Sequence, residues 1–87
     1  MTLNFPNASR SYDATRNLVR FWGYDSALEI SFLVEVSALR KLMPQMSDLE
    51  VDYLESFDAT REQILEAARK VYSRAGRGPY LLAAADF

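Results

Sequence analysis

The chain has 87 residues, room for one domain and one modest core, because domains typically run to about 100–150 residues. Apolar residues at 49% and charged residues at 25% make a globular balance and exclude a disordered chain. A net charge of −2 argues against general attraction to nucleic acid or anionic membrane, and the lack of histidine and cysteine excludes the usual zinc sites, a Cys–His pair and a Ser–His–Asp triad.

The same lack of cysteine suits a reducing compartment, since small secreted domains usually lean on disulfides. Residues Met1 to Pro6 offer neither a basic n-region nor a long apolar stretch. The longest apolar run, Leu81 to Ala85, is far short of the roughly 20 residues that span a bilayer. A cytoplasmic protein without a membrane segment is expected. A ligand cavity of about 300 Å³ would take a large share of so small a core, so enclosed catalysis by a lone copy is disfavoured.

In chain order, Leu3 and Phe5 alternate with polar neighbours before Pro6, which suits a short edge strand. Residues 7–17 are polar and turn-rich and read as an ordered loop. A hairpin over residues 18–36 is the dominant signal. Leu18 to Tyr24 and Ala27 to Val36 alternate in hydropathy around Asp25-Ser26 as the turn. With those two residues in the turn, Val19 falls opposite Phe32, Phe21 opposite Ile30 and Gly23 opposite Leu28, so inward meets inward. The other face places Leu18 opposite Leu33, with Arg20, Trp22, Tyr24 and Glu29 beside them.

Ser37 is placed to cap a short helix over 38–42, which Pro44 stops. Ser47-Asp48-Leu49-Glu50 reads as a capping box opening a helix over 47–74. Leu49, Tyr53, Phe57, Ile64, Ala68 and Val71 keep one face through it. A straight helix of that length spans about 42 Å, too long for the domain, so a bend near 57–60 is expected. Gly76 to Pro79 closes the helix and residues 80–86 form a last strand, with Leu81, Ala83 and Ala85 on one side. The expected architecture is one α+β domain over 1–87, an antiparallel sheet of three or four strands with the long or kinked helix across one face.

The strings Arg20-Phe21-Trp22-Gly23-Tyr24-Asp25, Phe57-Asp58-Ala59-Thr60-Arg61 with Ile64 three further on, Val71-Tyr72 and Ala84-Ala85-Asp86-Phe87 together resemble the short bacterial proteins grouped as domain of unknown function 1488. The resemblance covers nearly the whole chain. It implies a small bacterial protein, and because that family has no established activity it brings no catalytic residue and no cofactor.

Four features invite a function. Seven acids between Asp48 and Glu66 face Arg61 alone, but their positions fit a solvated helix face better than paired catalytic carboxylates. Gly76-Arg77-Gly78 follows a helix, which suits a capping turn rather than a phosphate cradle. Arg69, Lys70, Arg74 and Arg77, with Arg10, Arg16 and Arg20 elsewhere, form a candidate basic patch, although cations also complement the end of a helix dipole. Arg61 is expected to pair with Asp58 or Asp86. The second hairpin face carries Leu18, Arg20, Trp22, Tyr24 and Leu33, the residue types of interface anchors. Either the loop folds over it through Tyr12 or a partner does. The expected function is a non-catalytic interaction module, as a homodimer or with a larger partner, with a nucleic-acid-binding regulator as the alternative.

Overall fold

A computed structural model describes residues 3–6, 9–72 and 78–87. At its centre are β3 (Leu18–Asp25) and β4 (Leu28–Glu35), paired antiparallel. Alternation along both strands sends Val19, Phe21, Ile30, Phe32 and Val34 to one face, and all five are buried. The expected faces are correct, and the expected turn is not. Ser26 and Ala27 lie between the paired strands, with Ser26 at a left-handed φ of 57°. Val19 therefore faces Val34, Phe21 faces Phe32 and Gly23 faces Ile30. That is a slip of two residues from the expected register, and because side chains alternate with period two, it leaves each on its face. Asp25 belongs to the strand, where its carboxylate accepts the Tyr72 hydroxyl at 2.6 Å. Leu28, expected inward, lies at the turn end and is 63% exposed.

Residues 7–17 are not simply a loop. They contain β2 (Arg10–Asp13), which pairs with Leu18 to Phe21 of β3, while β1 (Leu3–Asn4) pairs with Tyr24 and Asp25. Since β4 holds the other edge of β3, β1 and β2 share one edge. Only Tyr12 of β2 reaches the core, so the strand reads as polar. The Asp13 carboxylate then accepts the Thr15 and Arg16 amides and turns the chain into β3.

β5 (Tyr80–Leu82) runs parallel to β4, with Leu81 beside Leu33. The sheet is thus mixed rather than antiparallel, as a crossover through intervening helices requires. The strand also stops short of residue 86. Ala84–Asp86 form a 3-10 turn in which the Asp86 carboxylate accepts the Ala83 amide at 2.8 Å.

The crossover contains α1 (Val36–Leu42), α2 (Glu50–Ala59) and α3 (Arg61–Val71). α1 starts directly from β4, without the expected Ser37 cap. The capping box is also absent: Leu49 occupies the cap position, and the Ser47 hydroxyl bonds the Asp52 carboxylate instead. The helix expected over 47–74 is a kinked pair. Thr60 leaves helical geometry at φ −113° and ψ 19°, and its hydroxyl donates to the Ser56 carbonyl at 2.7 Å, where its own amide also binds. The expected glycine cap at Gly76 lies outside the described residues.

All three helices bury side chains against the same sheet face: Val36, Ala38 and Leu39 from α1, Tyr53 and Phe57 from α2, Ile64, Ala67 and Ala68 from α3. Beside them Phe5 lies across Gly23, 5.8 Å from the Phe32 ring centre. A Cβ at Gly23 would stand 2.7 Å from the Phe5 ring and 2.7 Å from the Asn4 carbonyl oxygen. Gly23→Ala is therefore expected to cost roughly 1–3 kcal/mol through overpacking. Thermal melts would show it as a Tm lower by about 4–8 °C per kcal/mol, with a less-than-additive loss when combined with Phe5→Ala. An unchanged Tm for Gly23→Ala would contradict this packing.

Candidate functional site

The pleat that buries Phe21 and Phe32 turns the intervening residues the other way. Arg20, Trp22 and Tyr24 of β3 share that second face with Glu29, Ser31, Leu33 and Glu35 of β4 and Leu81 of β5. No helix among the described residues packs on it. Trp22, Tyr24 and Leu33 are half-buried by their neighbours, whereas Leu81 is 51% exposed. The register places Arg20 beside Leu33, and its guanidinium carbon sits 5.7 Å from the Trp22 ring centre, a cation–π distance.

Leu18 departs from expectation. It lies beside Glu35, not Leu33, and at 5% exposure it is buried without joining the core cluster. It shares the side of Arg20 and Trp22 at the end of the strand, and being buried it offers no contact area. The expected cover by Tyr12 is absent as well. Tyr12 stands opposite Val19 on the helical side, its ring centre 5.1 Å from that of Tyr53 and its hydroxyl 2.7 Å from the Asn17 side chain.

Of the candidate basic patch at the helix end, only Arg69 and Lys70 fall among the described residues. The Arg69 guanidinium lies 5.2 Å from the Phe5 ring centre, and Lys70 is 3.6 Å from Glu66. Arg74 and Arg77 lie outside the described residues. Arg10 and Arg20 sit at register positions on opposite faces of the sheet.

What the sequence reading missed is where Arg10 goes. It forms a two-pronged ion pair with Asp58, at 3.0 and 2.9 Å, and Arg61 reaches the same carboxylate at 3.0 Å. The local Asp58–Arg61 pair agrees with expectation, but Arg10 is far away in the chain and no spacing signals it. Burial raises the Asp58 pKa, yet the hydrogen bonds and charges of Arg10 and Arg61 outweigh it and leave the group below the ordinary carboxylate value. The trio ties β2 to the α2–α3 junction. Its geometry is that of a clamp.

Two open grooves lie elsewhere on the described surface. One, of about 410 Å³, lies between α3 and the C-terminal turn and includes Glu62, Glu66, Lys70 and Phe87. The other, of about 440 Å³, lies between α2 and the segment before it. Among the described residues, no group of three or more acids converges to hold a metal ion, and no helix is long and apolar enough to cross a membrane.

Fold and surface define a class: a small two-layer α+β domain with helices on one side of a mixed sheet and aromatic side chains on the other. The family described as "Protein of unknown function (DUF1488)" has a model that matches residues 3–82, and the chain belongs to that family. A crystal structure of a DUF1488 family protein from Shewanella loihica PV-4 superposes with a TM-score of 0.77 over 92% of this chain and 90% of that one, at 16% identity. At such identity the likeness speaks for the fold. No match is found among curated proteins.

The Asp58 clamp makes a pH-dependent prediction. A carboxylate with a lowered folded pKa contributes stability above its unfolded pKa of about 4 and loses it as pH falls through the folded value. Asp58 is partly exposed, so Asp58→Asn is expected to cost no more than about 1 kcal/mol at pH 7. Urea titrations should show the gap closing as pH falls below about 4. A gap equally large in acid would contradict the clamp.

Proposed function

We propose that this protein is a non-catalytic interaction module that pairs with a second copy of itself through the open face of the sheet. The observation that carries this reading is the row of Trp22, Tyr24, Leu33 and Leu81 with no described element over it. Charge favours a second copy as the occupant. Arg20 shares the face with Glu29 and Glu35, so each copy offers both signs to the other. A phosphate backbone would meet two acids and one base, which disfavours a nucleic acid despite two aromatic rings of the kind on which bases stack.

Area points the same way. At about 4.8 Å spacing, two strands of about 26 Å flanked by shorter edges of about 20 and 10 Å give roughly 400 Å² per copy. Two copies then bury roughly 800 Å², in the range of weak, transient contacts, which fits a readily reversible dimer. Carboxylates engaged in ion pairs, Asp58 with Arg10 and Arg61 and Asp48 with Arg40, support a non-catalytic role. The cysteine-free composition supports a reducing compartment such as the cytoplasm as the setting.

Trp22 is the single tryptophan, so its emission reports directly on the face. Sedimentation and fluorescence across a concentration series are expected to show a dimer at high micromolar concentration, with the emission moving to shorter wavelength as it forms. Leu81→Glu should leave the protein folded and monomeric, and Trp22→Ala should weaken pairing. A monomer throughout the range, or a steep low-salt affinity for mixed DNA and RNA oligonucleotides instead, would overturn this reading.

A further inference from the structure

We propose that the groove beside α2 docks a cationic amphipathic segment of a partner protein. Met43, at 37% exposure, is an exposed large apolar side chain in the groove's lining, while Leu49 at 62% and Val51 at 54% lie outside that lining in the adjoining stretch. Met43 and Met46 line the groove on one side, and Asp52, Glu55 and Ala59 line it on the α2 side. Methionine is unbranched and polarisable and suits a surface that accepts varied apolar groups.

The segment before α2 is held in place. Arg40 donates to the Met46 carbonyl at 2.6 Å and to the Asp48 carboxylate, and the Met46 amide donates to the Met43 carbonyl at 3.0 Å. Arg40 is thereby engaged within the segment itself. Among the described residues, Glu50, Asp52 and Glu55 have no cation within ion-pair distance, although Asp52 accepts the Ser47 hydroxyl. The dipole of α2 accounts for acids in its first turn, but not for Glu55, which lines the groove. An apolar floor under an acidic rim fits a ligand with the converse pattern. A helix with leucines on one side and lysines flanking them has that pattern, and such helices bind grooves through spaced apolar anchors. The same rim repels an anionic lipid surface.

The probe is a fluorescein-labelled peptide of about 14 residues, roughly four helical turns, with leucine on one face and lysine on the other. A peptide with glutamate in place of lysine serves as control. Anisotropy titrations with the whole chain are expected to show saturable binding of the lysine peptide and none of the glutamate peptide. Met43→Ser and Glu55→Lys, both at exposed positions, should each weaken binding about tenfold, while Trp22→Ala leaves it unchanged. No binding by the lysine peptide would overturn the proposal. So would binding indifferent to Met43→Ser, which would mark plain charge attraction, or binding lost in Trp22→Ala alone, which would move the site to the sheet.

Discussion

The stack of Phe21 on Phe32 governs this molecule. Their ring centres lie 5.3 Å apart, and almost every layer comes to them: Phe5 after β1 at 6.1 Å from Phe21, Phe57 of α2 at 5.1 Å from Phe21, and Tyr80 of β5 at 5.5 Å from Phe32. Burial of each phenylalanine contributes roughly 1.5–3 kcal/mol, and each ring pair about 0.5–1.5 kcal/mol more. In a domain whose whole stability is of order 5–15 kcal/mol, no other group of contacts has comparable weight. The pleat then leaves no freedom. With Phe21 inward, Arg20 and Trp22 must face outward, so the face with interface residues is a consequence of how the core is filled.

Alternation along β3 and β4 makes both faces readable from sequence, because a buried face enforces period two. The register is not readable, since slips of two preserve that period and only the turn decides among them. β2 escapes notice because an edge strand needs backbone pairing more than apolar side chains, and only Tyr12 reaches the core. Helix phase and length together disclose the bend at Thr60. The capping box fails because Ser47 finds a nearer acceptor in Asp52, a competition that spacing does not reveal. Asp58 with Arg10 lies beyond reach for another reason: the two residues meet only once the α2–α3 junction packs over β2.

The two proposed surfaces occupy different layers. Pairing through the sheet would leave the α2 groove on the outer, helical side of each copy, so a dimer would present two grooves to its surroundings. Two weak sites held in one assembly gain from effective concentration, which lets modest single contacts serve a stable complex. The acidic rim and the mixed-charge sheet also ask for different ligands, so the surfaces need not compete.

The most direct test of the central packing is a nuclear Overhauser spectrum of the dilute, monomeric protein. Phe21 ring protons should give cross-peaks to Phe57 and Phe32, while Trp22 indole protons should give none to Phe57 or Ile64. Cross-peaks from Trp22 to Phe57, with Phe21 freely solvated, would mean that the opposite face of the hairpin fills the core.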